Sequence, residues 1–485
     1  MARQLAPQLA AHPTQSAFCL LQRGIDSMAA RLALIKAAEH TVDAQYFVFA
    51  NDRAGNLVVD QLLAAAERGV RVRLLVDDWY QVGQDQRLAG IAAHPNVEVR
   101  VFNPVGGPRA LSFTRPLSFA FGPKRIRKRM HNKMLVVDNA AAVVGGRNIS
   151  DDDFGLRAQH RDDDLDLLVQ GPIVRKASMA FDEYWQDRLA IPIEAFQPKE
   201  HTAAHLEETN RTLDEKRAEA RSSAYAMTLA ESELLKLMRT NQLPLFWADA
   251  ECLYDHPGKI VASEVENPSA YMWFRLKEIF HDVNSEALMI SPYFVPSKHG
   301  EEWFSQIRSR GVSVKVLTNS LASTDEIAVH GAYAKYRPAL IRDGVELYEL
   351  RPDPGPDQSP AVRQENRVSK TMLHAKCVVL DRKVAFVGSF NLDSRSLWTD
   401  TQDGMVIRSP ELAELLAAVF AKRIAPRFSY RVQSRGALNG TSDGKIVWLS
   451  DEDGTTVTKF SEPKASPLRR LKAWLLGRIL PERWL

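Results

Sequence analysis

The chain has 485 residues, of which 45% are hydrophobic and 25% charged, which is typical of a globular protein with two or more domains. The formal net charge is only +3, so the chain as a whole is not suited to capture nucleic acid, and an electrostatic partner needs a local basic patch. Three widely spaced cysteines argue against a disulfide framework and against a cysteine-based zinc site.

The N-terminal segment lacks a basic region followed by a continuous apolar run, and no apolar stretch approaches membrane-spanning length. We therefore expect a protein that is neither secreted nor membrane-spanning. The cysteine usage fits a reducing compartment.

Strand and helix patterns occur twice along the chain in the same order. A run rich in β-branched and aromatic residues is followed by a helical stretch, a glycine and two further strand-like runs. The matching runs begin at Val42 and Ala287, at Gln61 and Glu301, and at Asn96 and Gly344. Gly69 and Gly311 are the predicted helix stops. The order strand, helix, strand predicts parallel sheets with crossover helices, so each half is an α/β domain.

A longer pattern is repeated without a gap. The stretch "MHNKMLVVDNAAAVVGGRN" begins at Met130, and "LHAKCVVLDRKVAFVGSFN" begins at Leu373. The shared polar and glycine positions are His131 and His374, Lys133 and Lys376, Asp138 and Asp381, Gly145 and Gly388, and Asn148 and Asn391. Because the residues after each lysine are apolar and β-prone, the histidine and lysine are predicted to point from one face of a strand. The aspartates fall where that strand must turn back into a hairpin.

Two copies related by an approximate two-fold would bring both polar sets together at the domain interface. One imidazole can then attack as a nucleophile while the other protonates the leaving group. Two lysines together with Asn148 and Asn391 supply donors and positive charge suited to binding a phosphodiester.

Two plainer interpretations compete with this one. A lone His-x-Lys on a strand is common and usually carries no chemistry, but two gapless copies in matched halves are hard to produce by packing alone. A metal site is the other alternative. A lysine ammonium beside each histidine would repel a cation and adds no ligand, so we expect no metal in the chemistry.

The predicted organisation is two α/β domains related by a pseudo-two-fold, at residues 14–200 and 245–428. Residues 201–244 are predicted to be a helical connector because they include a long stretch of helix formers without Gly or Pro. Residues 429–485 form a C-terminal extension, in which Gly, Asn and Asp turns between short β-prone runs predict a hairpin.

A basic, tryptophan-containing tail ends the chain. Apolar residues recur in it at helical spacing, and two tryptophans are candidate interfacial anchors: Leu468, Leu471, Leu475 and Ile479, with Trp474 and Trp484. The pattern predicts an amphipathic helix that lies on a membrane surface. The alternative is a solvated face, which is the usual role of a charge run.

The repeated motif resembles the signature of the phospholipase D superfamily, in which His-x-Lys is followed by Asp, by Gly-Gly or Gly-Ser, and by Asn at fixed spacing. Both copies match in full. The resemblance implies two phospholipase-D-like domains and a phosphohistidine mechanism without cofactor, with His131 as nucleophile and His374 as general acid and base. Asp138 and Asp381 belong to the signature with the catalytic residues, although their positions favour a role in the turns.

Further segments are similar to bacterial cardiolipin synthases, above all the C type: "ISPYFVP" from Ile290 and "LTNSLASTDEIAVHGAYAKYR" from Leu317. The similarity implies transfer of a phosphatidyl group to phosphatidylglycerol, with phosphatidylethanolamine as the donor. It implies phospholipid partners, no nucleic acid, and a peripheral position on the cytoplasmic side of the bacterial inner membrane. It leaves the oligomeric state open. The alternatives are a hydrolase or nuclease of the same superfamily and a weakly active lipid-binding protein.

The chain departs from the family at one position. The family carries a carboxylate downstream of each motif that hydrogen-bonds a catalytic histidine, typically that of the opposite half. Asp164 fills this place in the first half, but Gln402 stands in the second half where Glu is usual, with Asp400 two residues away. The resemblance therefore predicts that His131 is the less strongly supported histidine.

Overall fold

The computed structural model describes residues 8, 10–105, 124–157, 160–196, 203–262, 270–352, 370–436, 445–452 and 454–484. The chain folds into two compact units. The first unit comprises Met1–Arg157, Leu165–Tyr271 and Thr399–Met405, and the second comprises Ala158–Asp164, Met272–Trp398 and Val406–Leu485. Each unit therefore contains a short segment from the other half of the sequence.

The strands are β1 (Ser16–Leu21), β2 (Thr41–Tyr46), β3 (Arg71–Asp77), β4 (Val97–Phe102), β5 (Met134–Val137), β6 (Ala141–Gly145), β7 (His160–Asp163), β8 (Asp166–Gln170), β9 (Ala190–Pro192), β10 (Phe246–Tyr254), β11 (Glu286–Ile290), β12 (Ser313–Asn319), β13 (Glu346–Leu350), β14 (Lys370–Leu373), β15 (Cys377–Leu380), β16 (Val384–Gly388), β17 (Asp403–Arg408), β18 (Ser429–Ser434), β19 (Ile446–Glu452) and β20 (Thr455–Lys459).

The α-helices are α1 (Gly24–Ala37), α2 (Arg53–Glu67), α3 (Asp85–Ala92), α4 (Asp151–Phe154), α5 (Val174–Gln186), α6 (Ala203–Ser222), α7 (Ala224–Ala230), α8 (Glu233–Arg239), α9 (Met272–His281), α10 (Ser297–Ser309), α11 (Ile327–Tyr333), α12 (Arg337–Arg342), α13 (Ser394–Trp398), α14 (Pro410–Arg423) and α15 (Pro467–Ile479).

The first unit is built on one sheet in the order β10-β1-β8-β6-β5-β2-β3-β4-β9. Strands β2, β3 and β4 are parallel, as predicted, and the remaining neighbours pair antiparallel. The sheet is therefore mixed rather than parallel throughout. Val42 on β2 pairs with Val72 on β3, and both side chains are buried in the core.

The second unit repeats this plan in the order β16-β15-β11-β12-β13-β18-β19-β20. Strands β11, β12 and β13 are parallel, and β15, which follows the second histidine motif, joins β11 antiparallel, just as β5 joins β2. The duplicated α/β architecture expected from the sequence is confirmed, with the C-terminal strands added to the second sheet.

Glycines end the corresponding helices of the two repeats. Gly69 follows α2 with φ +91°, and Gly311 follows α10 with φ +83°. Side chains rarely adopt this left-handed conformation, and glycine adopts it without strain. Both predicted helix stops are therefore confirmed.

The connector is helical but not continuous. Ser223 and Ser232 interrupt it, because their hydroxyls accept hydrogen bonds from the amides of Ala226 and Leu235 and so cap the starts of α7 and α8. These helices pack on α1 and belong to the first unit. The predicted second domain also starts too early at residue 245, since β10 pairs antiparallel with β1 of the first unit.

The C-terminal extension contains the expected hairpin, formed by β19 and β20 with Gly454 at φ +82° beside its turn. After it, α15 packs against α11 in the second unit. Among the helices that the structure describes, none combines the length and the apolar character needed to cross a bilayer.

Candidate active site

The first motif lies just before β5 rather than on it. The ladder between β2 and β5 begins at the pair Gln45 and Met134, so His131 and Lys133 precede the strand. The amide of His131 donates instead to the carbonyl of Thr401 at 2.9 Å. The expectation that both side chains stand on one strand face is wrong, because the backbone at this point pairs with the segment around Thr401.

Lys133 is completely buried beside the histidine. Its ammonium donates to the carbonyl of His131 at 2.6 Å and lies 5.5 Å from the centre of the Phe47 ring. The same ring meets the His131 imidazole edge-on at a centroid distance of 5.0 Å. The motif is thus packed tightly, and a fixed positive charge stands next to the imidazole.

The imidazole of His131 is held by the residue at the atypical position. Its Nδ1 lies 2.8 Å from Oε1 of Gln402, and both residues belong to the first unit. Because an amide oxygen only accepts, this contact places the proton on Nδ1 and leaves Nε2 with its lone pair. The backbone amide of Gln402 donates in turn to the carboxylate of Asp255 at 2.9 Å. This contact fixes the backbone that carries the glutamine side chain.

The second motif has the same construction with a different partner. Nδ1 of His374 lies 2.6 Å from Oδ2 of Asp164, within the second unit. Strand β14 pairs with β7 in parallel, and the amides of His374 and Ala375 both donate to the carbonyl of Asp163, at 2.8 and 2.9 Å. The ammonium of Lys376 donates to the carbonyl of His374, as Lys133 does to His131.

The two histidines therefore differ in the charge of their supports. Asp164 is fully buried and offers a carboxylate, which stabilises a protonated imidazole. Gln402 is equally buried but neutral, so it orients the ring of His131 without favouring the imidazolium. Asp400, two residues earlier, accepts through Oδ1 from the backbone amide of Arg129 at 2.9 Å, whereas Gln402 is the residue that holds Nδ1 of His131.

The motif aspartates lie at the hairpin turns. Asp138 and Asp381 have φ values of +52° and +50°. Oδ1 of Asp138 accepts from the amides of His40 and Thr41 at 2.8 Å, and Oδ1 of Asp381 accepts from the amides of Ser285 and Glu286 at 2.7 and 3.0 Å. Each carboxylate thus ties its turn to the start of the neighbouring strand, β2 or β11.

Hydrogen bonding shifts the pKa of Asp381. Burial opposes ionisation of this carboxyl, but the hydrogen bonds from Glu286, Ser285 and Asn284 outweigh burial and hold its pKa below the ordinary value. These contacts support a structural role for both motif aspartates, and we propose that neither takes part in the chemistry directly.

The motif asparagines are both buried. Oδ1 of Asn148 accepts from the amide of Val48 at 3.2 Å, which leaves its Nδ2 as the donor group. The backbone amide of Asn391 donates to Oγ of Ser396 at 3.1 Å. The side-chain Oδ1 of Asn391 is buried without a hydrogen-bond partner among the described residues.

One pair of positioning residues was missed by the sequence analysis. Asp77 at the end of β3 accepts from the amide of Met130 at 2.9 Å, directly before His131. Asn319 at the end of β12 accepts from the amide of Leu373 at 2.9 Å, directly before His374. The two residues occupy matching positions in the repeats, one residue beyond the apolar part of β3 and β12. The alignment of the repeats therefore contained the signal that could have identified this pair.

Asp77 also pairs with a buried arginine, in addition to its hydrogen bond with Met130. The guanidinium of Arg129 lies 2.7 Å from Oδ1 of Asp77, and both side chains are buried. Burial raises the pKa of Asp77 to about 6, against the lowering effect of Arg129 and of the amides of Trp79 and Met130. Arg129 precedes the motif in a basic run, and its charge serves this buried pair rather than a solvated face.

Comparisons with known proteins identify the family of this chain and its fold. The family described as "Cardiolipin synthase, PLD-like domain" matches residues 32–185 and 276–424, the regions that hold the two motifs. Cardiolipin synthase C of Escherichia coli strain K12 is 34% identical over 100% of this chain and 99% of its own. A cardiolipin synthase of Alkalihalophilus pseudofirmus is 23% identical, covering 78% of this chain and 60% of that protein. The crystal structure of phosphatidylserine synthase from Haemophilus influenzae superposes with a TM-score of 0.55 at 12% identity, over 89% of this chain and 91% of that one, which shows a shared fold.

Proposed function

Because the chain belongs to the family of cardiolipin synthases with phospholipase-D-like domains, we propose that it is a phosphatidyltransferase that makes cardiolipin. The observation that carries the proposal is the pair of histidine–lysine motifs, each with its imidazole Nδ1 held by a buried acceptor, at 2.8 Å for His131 and 2.6 Å for His374. With its proton on Nδ1, His131 carries on Nε2 the lone pair that a nucleophile at phosphorus needs.

In the proposed reaction, Nε2 of His131 attacks the phosphorus of a donor phospholipid. The bond from phosphorus to the headgroup oxygen breaks, and that oxygen takes a proton from Nε2 of His374. The phosphatidyl group is then held on His131. A hydroxyl of phosphatidylglycerol next gives its proton to His374 and attacks the phosphorus, which releases His131 and completes cardiolipin.

The unequal supports favour this division of labour. A general acid must carry a proton before the leaving group departs, and the carboxylate of Asp164 stabilises the protonated form of His374. A nucleophile must be neutral, and Gln402 orients His131 through its Nδ1 proton without adding charge. The family resemblance gives the same assignment from a different line of argument.

The remaining motif side chains are proposed to hold the phosphoryl oxygens. Lys133 and Lys376 each donate to the carbonyl of the histidine in their own motif, which fixes a positive charge beside that histidine. Asn148 and Asn391 add neutral amide donors. Such fixed charges and dipoles stabilise oxygens that gain negative charge in the transition state.

Phosphatidylethanolamine is the proposed donor, and phosphatidylglycerol the acceptor. We place the enzyme peripherally on the cytoplasmic side of a bacterial inner membrane, where both lipids are presented. The support for these finer assignments is the similarity to C-type cardiolipin synthases over the whole chain.

The test is product analysis with purified protein and vesicles of phosphatidylethanolamine and phosphatidylglycerol. Cardiolipin is the expected product, and the variants His131→Ala and His374→Ala should each reduce transfer by at least about 1,000-fold, because each removes one half of the acid and nucleophile pair. Phosphatidic acid without cardiolipin would indicate a hydrolase instead. The absence of any turnover would indicate a lipid-binding protein, and near-normal turnover in either variant would refute the two-histidine mechanism.

A further inference from the structure

The C-terminal helix α15 is held against the second unit by backbone contact. Ala473 and Gly477 are buried where the helix meets Gly331 of α11. A Cβ atom built at Gly331 would lie 2.0 Å from the carbonyl oxygen of Ala473, and one at Gly477 would lie 2.3 Å from the carbonyl carbon of Gly331. The two helices therefore approach so closely that only glycine fits at these positions, and α15 has a fixed orientation.

Polar contacts secure both ends of this helix. Nε of Arg469 donates to the carbonyl of Leu321 at 2.7 Å near the start. Beyond the other end, Glu482 accepts from Lys335 at 2.8 Å and from Tyr336 at 2.7 Å. The short 3-10 turn Glu482–Trp484 packs on α13, which follows Asn391 of the second motif. The helix is thus tied to the part of the chain that carries the catalytic residues.

A buried cluster fixes the segment that leads into the helix. The guanidinium of Arg337 lies 3.0 Å from Glu349 and 2.5 Å from Glu462, with His330 beside them. These two acids and the histidine have the chemistry of metal ligands, but the guanidinium of Arg337 already pairs with both carboxylates. The cluster therefore holds Glu462, and with it the approach to α15, onto α11 and α12.

The opposite face of α15 is apolar and exposed. Its large side chains are 39–69% exposed and follow one another at helical spacing: Leu468, Leu471, Leu475 and Ile479, with Trp474 at one edge. At 100° per residue, the four aliphatic residues form one stripe about 200° around the helix from Ala473. A surface helix normally turns such a stripe toward the core. Here the docking through Ala473 and Gly477 turns it outward.

The charged residues that α15 itself carries are all basic. Lys472 lies at one edge of the stripe and Arg478 at the other, and Arg478 also stacks 4.5 Å from the centre of the Trp474 ring. No acidic residue occurs in the sequence between Glu462 and Glu482. A second copy of the chain is a poor partner for this face, because pairing two such stripes would bring like charges together. An anionic lipid surface is complementary to both the apolar stripe and its cationic edges.

We propose that the outer face of α15, defined as Leu468, Leu471, Trp474, Leu475 and Ile479, inserts into the interfacial region of an anionic phospholipid bilayer. The proposal rests on the proposed function for the nature of the lipid and deepens it, because it names the surface by which the enzyme reaches lipids embedded in a membrane. The rigid docking of α15 then holds the second unit in one orientation on the bilayer.

The experiment measures binding of the full-length chain to vesicles by co-sedimentation. The vesicles contain phosphatidylethanolamine with either phosphatidylglycerol or, as the neutral case, phosphatidylcholine. The stripe variant combines Leu471→Ser, Leu475→Ser and Ile479→Ser, and its control combines Met179→Ser and Met227→Ser, two methionines of the first unit that are 52% and 63% exposed. The charge variant combines Lys472→Gln and Arg478→Gln, and its control combines the exposed pair Lys36→Gln and Lys236→Gln.

The stripe variant should bind anionic vesicles at least about 30-fold more weakly, since each inserted aliphatic side chain contributes several-fold to partitioning. The charge variant should bind about 20-fold more weakly at low salt, and the difference should vanish near 1 M salt, where the Debye length is about 3 Å. Both controls should bind like the wild type. Quenching of tryptophan fluorescence by brominated acyl chains should fall in Trp474→Phe.

Equal binding by the stripe variant and its control would overturn the proposal. A concentration-dependent dimer that is lost in the stripe variant would overturn it too, because the face would then serve a second copy of the chain. Turnover of detergent-dispersed lipid should stay within about two-fold of wild type in the stripe variant. A wild type that binds vesicles as expected but makes no cardiolipin from either vesicles or detergent-dispersed lipid would refute the proposed function. That result would leave the proposal that α15 binds the membrane supported.

Discussion

At the scale of single residues, the two motif histidines differ in the charge of the side chains that support them. His374 is held by the carboxylate of Asp164, and His131 by the amide oxygen of Gln402. Both acceptors fix a tautomer, but only the carboxylate stabilises positive charge on the ring. The difference matters most when the ring gains charge during the reaction, which happens at His131 when it takes up the phosphatidyl group.

We predict that Gln402→Glu raises the transfer rate, because a carboxylate at this place stabilises the cationic ring of His131 as it attacks phosphorus. The same carboxylate favours protonation of the resting ring, so the acidic limb of the pH–rate profile should move to higher pH. Asp164→Asn should lower the rate by about 100-fold or more, since His374 loses the partner of its charged form. Initial transfer rates across pH 5 to 9 measure both effects.

Asp400→Asn is the control for this pair, because Asn can still accept from the amide of Arg129 and it is Gln402 that holds Nδ1 of His131. It should leave the rate and the pH profile close to wild type. A slower Gln402→Glu enzyme at every pH, or a severe loss in Asp400→Asn, would show that His131 depends on Asp400 instead.

At the scale of elements, the hairpins after both motifs are closed by residues other than glycine in the left-handed region. Asp138 and Asn139 have φ near +50°, as do Asp381 and Arg382. Asp and Asn tolerate this conformation better than most side chains. The aspartates also accept from the amides of Thr41 and Glu286, the first residues of β2 and β11, so each one joins the motif hairpin to the parallel part of its sheet.

We predict that Asp381→Asn lowers the free energy of unfolding by about 1–2 kcal/mol at pH 7, because the charged acceptor of several backbone amides is lost. The folded pKa of Asp381 lies below the ordinary value of 3.8, so the stabilisation is complete above that pH and is lost as the pH falls through the folded pKa. The gap between wild type and variant should therefore be constant from pH 5 to 8 and shrink below pH 4. Urea unfolding at these pH values measures it.

The neighbouring variant Asp282→Asn is the control, since its carboxylate is 87% exposed. It should match wild type throughout. A stability gap for Asp381→Asn that grew on acidification would contradict the assigned direction of the pKa shift.

At the scale of the whole molecule, neither half of the sequence completes its own unit. The segment Thr399–Met405 joins the first unit and brings Gln402 to His131, and the segment Ala158–Asp164 joins the second and brings Asp164 to His374. Each catalytic histidine is therefore supported by a residue distant from it in the sequence. The positive charge beside each histidine comes likewise from the chain itself, through Lys133 and Lys376.

We predict that excess chelator leaves the transfer rate within about two-fold of the untreated enzyme, because the two lysines supply the positive charge that a metal ion would otherwise provide at phosphorus. The measurement is initial rate after dialysis against chelator, with detergent-dispersed lipid, so that divalent ions acting on vesicles do not interfere. Loss of activity that one divalent ion alone restores would contradict this prediction.

The repeat itself was readable from the sequence because its signals are local. Apolar runs near Val42 and Ala287 give strands, Gly69 and Gly311 stop helices, and Asp138 and Asp381 mark turns, each through the conformational preferences of a few neighbouring residues. The helical spacing of the apolar residues in the C-terminal tail likewise predicted the helix α15. The breaks in the connector were missed, because the serines at positions 223 and 232 act as caps only through their conformation.

The family resemblance implied that Asp164 and Gln402 support the histidines of the opposite halves, but only the tertiary structure decided how these contacts are made. The pairing of Gln402 with His131, of Asp164 with His374, and of Asp77 with the backbone before His131 joins residues that are far apart in the chain. Local preferences carry no information on such contacts, which depend on how the exchanged segments pack. The outward direction of the α15 stripe was decided in the same way, since the sequence shows which residues share a helix face and only the contact with Gly331 determines which face is covered.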